Sequence, residues 1–306
     1  MEEHILRTFD LCKSYSGQYA VENVNMEINK GQIYGFIGAN GAGKTTLIRM
    51  LCGLTHSDSG EIELFGESGP KLEVERSHIG SIIEMPALYL SMTAEQNLEA
   101  YRLLTGTPGK DRIKEVLSSV KLSDTRTKKV KDFSLGMKQR LALAKALLHH
   151  PEFIILDEPM NGLDPAGIVL IRELLKELCE KHNITILISS HILGELSLLA
   201  THYGIIHKGN LIRQLSKEEL NRECRSYIKI CTLDAAKAAV ILHEKLHTHA
   251  FEVMPGNIIH LYDYLDRSEI VNECLVKEGV PIRSLSMKGQ DLEGYFMHLI
   301  GGEKNE

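Results

Sequence analysis

The chain has 306 residues, of which 43% are hydrophobic and 25% are charged, and its formal net charge is −6. This composition supports about two globular domains and excludes a wholly disordered chain. No segment is strongly basic, which argues against a general nucleic-acid binder. The N-terminus lacks the apolar stretch of a secretory signal, and no apolar run approaches the ~20 residues needed to cross a bilayer. We therefore expect a soluble or membrane-peripheral protein with no nucleic-acid partner.

The first part of the chain predicts strands that alternate with helices. An apolar strand at Ile33–Ile37 runs into a glycine-rich turn, which is followed by a helix over Thr45–Cys52. Residues 92–150 are helix-like, with polar breaks at Gly106–Gly109 and Leu122–Asp132.

Two buried strands follow, at Phe153–Asp157 and Ile184–Ser190, because both segments are short, apolar and bounded by turn residues. A helix is predicted between them over Ile168–His182. Strands alternating with helices predict an α/β fold with a largely parallel sheet.

The pattern changes near Leu215–Cys224, where a second domain is predicted to begin. Its elements are expected in the order βαββαβ and then a last helix, over Tyr227–Thr232, Ala235–Leu246, Ala250–Met254, Ile258–Tyr262, Arg267–Glu278, Ile282–Met287 and Asp291–Ile300. This order resembles a ferredoxin-like plait. No motif in this extension predicts chemistry.

The strongest motif is a glycine-rich loop between a strand and a helix. It matches GxxxxGK[ST] and, with the residue after it, comprises Gly38, Ala39, Asn40, Gly41, Ala42, Gly43, Lys44, Thr45 and Thr46. Glycine tolerates positive φ, so such a backbone can wrap around an anion and direct its N–H groups at the β- and γ-phosphates of a nucleotide. The Lys44 ammonium adds a positive charge between these phosphates, and the Thr45 hydroxyl is placed to ligate Mg²⁺.

A second motif lies at the end of a predicted strand, where Phe153–Leu156 is followed by Asp157 and Glu158. Both carboxylates are expected at the carboxyl edge of a parallel sheet, where open α/β sheets bind ligands. There Asp157 can hold the hydration shell of Mg²⁺, and Glu158 can act as a general base on the attacking water. An Asp-Glu pair alone would be typical of a solvated loop, so this prediction depends on the upstream phosphate loop.

A third motif occupies Phe133–Arg140, which reads FSLGMKQR. Ser134 offers a hydroxyl and Gly136 an N–H at the start of a helix predicted over Lys138–Leu148, and a helix start attracts anions. In isolation, Ser134 would be interpreted as a plain helix cap. In their order over roughly residues 4–220, the three motifs resemble those of the ATP-binding subunits of ABC transporters.

The resemblance implies a P-loop ATPase that uses ATP and Mg²⁺. It implies an ABC-type nucleotide-binding domain over residues 1–220, with a helical subdomain at about 86–150, and leaves a small α+β domain over 221–306. The family's third motif usually reads LSGGQ; here Leu135 replaces a glycine and Met137 replaces the glutamine. The serine and the second glycine remain, so recognition of the γ-phosphate is expected to be retained.

Four further positions correspond to functional positions of the family. The segment Asn161–Asp164 resembles its D-loop, with Asn161 in place of serine, and His191 resembles the switch histidine that contacts the γ-phosphate and the attacking water. Tyr15 matches the aromatic residue that stacks on adenine. Glu84 falls where the family has the Q-loop glutamine; a carboxylate can still ligate Mg²⁺, but it adds negative charge beside the triphosphate.

The resemblance also implies partners. In the family, the signature motif of one subunit closes on the ATP of another, and this chain carries one phosphate loop and one signature motif. A homodimer or a heterodimer is therefore expected, together with an integral-membrane permease that docks near Glu84–Leu98. The chain would then be cytoplasmic and peripheral on the cytoplasmic face of the membrane.

Within the family, the glutamate at the Q-loop, the SLGMK signature and the small extension resemble the bacitracin-resistance and lantibiotic-immunity exporters. Export of an antimicrobial peptide is therefore the favoured function. The alternatives are another multidrug or lipid exporter, a soluble ABC ATPase outside transport, and a scaffold that does not hydrolyse nucleotide. Glu158 argues against the last of these, because degenerate sites commonly lose that carboxylate.

Overall fold

The computed structural model describes most of the chain, namely residues 3–84, 87–125, 127–224, 226–289 and 292–301. The chain forms two compact units, Met1–Lys217 and Glu218–Glu306. Residue 86, where the helical subdomain is predicted to begin, and Asp291, where the last helix is predicted to begin, lie outside the described residues. In the described part of the chain, no helix is both long enough and apolar enough to span a bilayer.

The first unit contains both strands and helices. Its strands are β1 (His4–Tyr15), β2 (Gln18–Asn29), β3 (Ile33–Ile37), β4 (Ser59–Leu64), β5 (Glu67–Ser68), β6 (Ile79–Ile82), β7 (Phe153–Asp157), β8 (Thr185–Ser190), β9 (His202–His207) and β10 (Asn210–Ser216). Its helices are α1 (Lys44–Leu51), α2 (Leu72–Glu75), α3 (Ala94–Thr105), α4 (Asp111–Ser119), α5 (Leu135–Leu147), α6 (Pro165–His182) and α7 (Leu193–Leu199), and α8 (Lys217–Glu223) follows at the boundary.

The central sheet has the strand order β10-β9-β3-β8-β7-β6, and its strands are parallel except where β10 joins β9. Every residue of β3, β7 and β8 is buried, as expected for parallel strands that are covered on both faces. A second, antiparallel sheet has the order β2-β1-β4-β5. The predicted α/β class with a largely parallel sheet is therefore confirmed.

Helices α5 and α6 begin three residues earlier than predicted from the sequence. Helix α5 begins at Leu135 rather than at Lys138, because Ser134 caps it by accepting a hydrogen bond from the Met137 N–H. Helix α6 begins at Pro165, since the side chain of the preceding residue caps it and proline is well suited to the first helical position. Both differences come from capping, which the apolar periodicity used for the prediction does not register.

The second unit contains β11 (Tyr227–Thr232), α9 (Ala235–Lys245), β12 (Phe251–Met254), β13 (Ile258–Leu261), α10 (Ser268–Lys277), β14 (Ile282–Lys288) and α11 (Leu292–Gly301). Its sheet is antiparallel with the order β12-β13-β11-β14. The first strand of the unit thus lies between the third and the fourth, which is the arrangement of the ferredoxin-like plait predicted from the element order. The core of this unit includes Ile228, Ile230, Ala238, Leu242, Val271 and Leu275.

The end of β1 is fixed by the carboxylate of Asp58. Lys13 Nζ lies 2.6 Å from this carboxylate, and the backbone N–H and hydroxyl of Ser14 donate to it at 2.7 and 2.8 Å. The ammonium of Lys13 and the donors of Ser14 lower the pKa of Asp58 from 3.8 to about 2. This interaction orders the strand end that carries Tyr15.

These contacts predict how stability depends on pH. Because the pKa of Asp58 is lower in the folded chain than its ordinary value, the contribution of the carboxylate is complete above pH 3.8 and is lost as the pH falls towards about 2. Urea unfolding of the wild type and of Asp58→Asn should therefore show a stability difference at pH 6 that shrinks below pH 4. Asp124→Asn, at another exposed aspartate, controls for the lost charge; a difference that does not change with pH would contradict the prediction.

Candidate nucleotide-binding site

The loop between β3 and α1 needs glycine at two positions. Gly43 has φ +109°, and a Cβ there would lie 2.2 Å from the Ala20 carbonyl oxygen. A Cβ on Gly38 would lie 2.7 Å from the carbonyl oxygen of Ile206. Gly43 is also the N-cap of α1 and has no side chain to cap it. The N–H groups of the first turn are therefore left for an external acceptor, which favours an anion at this position.

The Lys44 ammonium is held at the loop and is almost completely buried, with only 6% of its side chain exposed. Nζ donates to the carbonyl oxygens of Gly38 at 2.6 Å and Ala39 at 3.3 Å, and it lies 3.6 Å from Glu158 Oε1. A buried cation needs such partners because burial removes its hydration. These contacts place one positive charge where a phosphate chain in the loop would lie.

Asp157 joins the loop to two strands of the sheet. Its Oδ2 accepts a hydrogen bond from the Thr45 hydroxyl at 2.7 Å, and its Oδ1 accepts one from the Ser189 hydroxyl at 2.5 Å. The carboxylate oxygens and the threonine hydroxyl are hard oxygen donors, which are the ligands that Mg²⁺ prefers. The residues present therefore fit a magnesium ion. Ser189 was not predicted as a site residue, although two serines that end an apolar strand are a usable signal.

Glu158 has a backbone conformation that is uncommon outside glycine, with φ +50°. Its N–H donates to the carbonyl oxygen and the hydroxyl of Ser189, at 3.2 and 3.0 Å. Its Oε2 lies 2.6 Å from Nδ1 of His191, so the ring donates to the carboxylate. The strand ends thus bring together the two residues that the sequence analysis assigns to catalysis, at the edge that carries Lys44.

Tyr15 and Ser134 were also predicted to bind the nucleotide, and neither is hydrogen-bonded to the cluster of Lys44, Asp157 and Glu158 within the described residues. Tyr15 is half exposed on the β1–β2 hairpin, with Lys13 Nζ 5.5 Å from its ring centroid. The same hairpin leads to Ala20, whose carbonyl oxygen faces the phosphate loop. Ser134 accepts from its own helix, and within the described ranges no hydrogen bond joins it to the phosphate loop.

Gly136 is not required for steric reasons within a single chain, because a Cβ there would approach Leu163 only to 3.8 Å. Glu84 has a positive φ of 62° and forms an ion pair with Arg49. Its carboxylate is therefore engaged by α1 rather than by the Thr45–Asp157 pair.

This combination of a glycine loop with a buried ammonium, a hydroxyl–carboxylate pair and a second carboxylate bonded to histidine defines a P-loop nucleoside triphosphatase. The family model described as ABC transporter matches residues 21–161. ATP-binding transport proteins that align over nearly the whole chain extend this match beyond residues 21–161. The chain belongs to the ATP-binding proteins of ABC transporters, and it is an ATP-binding ATPase subunit of such a transporter.

The chain is 45% identical to the bacitracin transport ATP-binding protein BcrA of Bacillus licheniformis, over 97% of this chain and 98% of the relative. It is 42% identical to the lantibiotic transport ATP-binding protein SrtF of Streptococcus pyogenes, over 70% of this chain and 91% of the relative. A solved structure of cbiO1 from Clostridium perfringens, part of the ABC transporter complex cbiONQ, superposes with a TM-score of 0.66 at 29% identity. That superposition covers 72% of this chain and 92% of cbiO1.

The position of Lys44 predicts the effect of removing its charge. Lys44→Ala should weaken ATP binding about tenfold or more, because charge-assisted hydrogen bonds to phosphate contribute about 1.5–3 kcal/mol. Isothermal titration with ATP measures this loss. Lys181→Ala, which removes an ammonium paired with Glu177 on α6, is the matched control and should bind ATP normally. Equal ATP affinity in Lys44→Ala and the wild type would contradict the assigned loop.

Proposed function

We propose that two nucleotide-binding chains clamp ATP between them, with the phosphate loop of one chain facing Ser134 and Gly136 of the other. The proposal is supported by the different hydrogen-bond partners of the signature serine and the phosphate loop. Ser134 accepts a hydrogen bond from its own helix, whereas Lys44 and Thr45 donate to carbonyl and carboxylate groups at the sheet edge. A helix start with a serine cap can bind the γ-phosphate of a nucleotide held in the phosphate loop of a second chain. The second chain is another copy of this one or a related ATPase subunit.

We further propose roles for the residues at the sheet edge. Thr45 and Asp157 hold Mg²⁺, which when bound neutralises phosphate charge. Lys44 and the loop N–H groups bind the β- and γ-phosphates, and Tyr15 stacks on the adenine. Glu158 takes a proton from the attacking water, and His191 orients that carboxylate through their 2.6 Å contact. This contact between Glu158 and His191 is the observation that best supports hydrolysis.

The proposed role of Glu158 gives a sharp prediction. Glu158→Gln should bind ATP with near wild-type affinity, because the amide keeps the shape of the side chain. It should lower ATP turnover at least about a hundredfold, in the range that a general base contributes, and dimers should accumulate with bound ATP. Steady-state phosphate release and size-exclusion chromatography with multi-angle light scattering measure the two effects. Turnover near that of the wild type would contradict the role of Glu158.

We propose that the subunit lies on the cytoplasmic face of the membrane and drives an integral-membrane permease that exports an antimicrobial peptide. The peptide class is supported by the relatives named for bacitracin and lantibiotic transport. A docking surface for the permease is supported by a cavity of about 340 Å³ between α3 and α5. Its lining includes Leu88, Tyr89, Leu98, Tyr101 and Lys145. Residues 85 and 86, within the segment predicted to dock, lie outside the described part of the chain.

Transport can be tested with the full complex. The tagged chain is purified from detergent-solubilised membranes together with any membrane protein that it retains, and the complex is reconstituted in vesicles. Bacitracin or a lantibiotic should stimulate ATP hydrolysis, and Glu158→Gln should abolish the stimulation. Stimulation by a hydrophobic dye or phospholipid alone would instead support a multidrug or lipid exporter. Failure to retain any membrane protein would contradict the transport proposal.

A further inference from the structure

Helix α1 directs two side chains at the ends of two neighbouring strands. The Thr45 hydroxyl donates to Asp157, the last residue of β7, and the Arg49 guanidinium pairs with Glu84, two residues beyond β6. Strands β6 and β7 are paired and parallel, so their ends lie at one edge of the sheet. Thr45 and Arg49 are four positions apart, which places them on one face of α1, separated by about 6 Å along the helix axis.

Glu84 lies two residues beyond Ile82, which pairs with Leu156 next to Asp157. Its partner Arg49 is attached to α1 about one helical turn beyond Thr45. A carboxylate at this edge of the sheet would repel a bound triphosphate unless a cation compensated for its charge. Arg49 is such a cation, and it reaches Glu84 from the helix that begins at the phosphate loop.

The exposure of the ion pair indicates that it can open. The side chain of Arg49 is 40% exposed and that of Glu84 is 60% exposed. Ion pairs at this degree of exposure contribute little to the stability of a folded protein. The guanidinium can therefore be exchanged for a cation of higher charge without disrupting α1 or β6.

We propose that Arg49 is the positioning residue for Glu84. In the protein without nucleotide, Arg49 neutralises the Glu84 carboxylate and holds it at α1 through their ion pair. Arg49 releases the carboxylate only when ATP binds together with Mg²⁺, to which Glu84 then turns. This inference rests on the proposed function, because it takes the Thr45–Asp157 pair as the metal site.

The test compares the affinity for ATP in EDTA with that in Mg²⁺, by isothermal titration, for the wild type, Arg49→Gln, Glu84→Gln and the double variant. In EDTA, Arg49→Gln should weaken ATP binding about three- to tenfold, because the charge of Glu84 is no longer compensated. In Mg²⁺, the loss should fall below about twofold, since the released carboxylate meets the metal. The double variant should bind ATP in EDTA as well as Glu84→Gln alone does.

Two controls separate this effect from a general loss of charge. Arg49→Lys keeps the positive charge and should bind ATP in EDTA like the wild type. Lys181→Gln removes an exposed, ion-paired ammonium on α6 and should change neither affinity. Circular dichroism spectra confirm that each variant is folded.

The proposal is overturned if Arg49→Gln has no effect in EDTA, or if it weakens ATP binding equally with and without Glu84→Gln. In the second case, Arg49 would act on the nucleotide independently of Glu84. Failure of the proposed function looks different: Lys44→Ala would then leave the affinity for ATP unchanged in both EDTA and Mg²⁺.

Discussion

The nearly buried ammonium of Lys44 is the interaction on which the rest of the site depends. An ammonium can be held there only if the backbone supplies acceptors, and the carbonyl oxygens of Gly38 and Ala39 do so. The backbone can follow this path only because positions 38 and 43 are glycine. A side chain at Gly38 or Gly43 would collide with a neighbouring carbonyl group. The buried cation then attracts the carboxylate of Glu158, which lies on a neighbouring region of the sheet edge.

The parallel sheet makes this arrangement possible. Strands β3, β8 and β7 are adjacent and run in the same direction, so the phosphate loop, Ser189 and Asp157 emerge at one edge. Asp157 binds the hydroxyl groups of both Thr45 and Ser189 and thereby ties α1 to two strands. Hydrogen bonds therefore connect the helix that follows the phosphate loop to the strand ends that precede Glu158 and His191.

Sequence alone predicted the α/β class, the family and the order of elements in the second unit, because each has a strong local signal. The residues of the phosphate loop are contiguous in the sequence, so their types and spacing were sufficient to predict the loop between β3 and α1. The contacts of Ser189 and Arg49 were not predicted because their hydrogen-bond partners are 32 and 35 positions away. The start of α5 was misplaced because a capping hydrogen bond, rather than hydrophobic periodicity, determines where it begins. The contact between Glu158 and His191 likewise arises only when two strand ends are brought together.

The central claim is that the phosphates bind at Lys44 and that a second chain completes the site with Ser134. The most direct measurement is a structure of the wild-type protein with Mg²⁺, ADP and beryllium fluoride, which together mimic ATP. The account predicts a dimer with Lys44 Nζ in contact with the β-phosphate and the fluoride group, and with Ser134 of the second chain facing the same group. A monomer whose nucleotide lies away from Lys44, or a dimer with Ser134 turned to solvent, would contradict it.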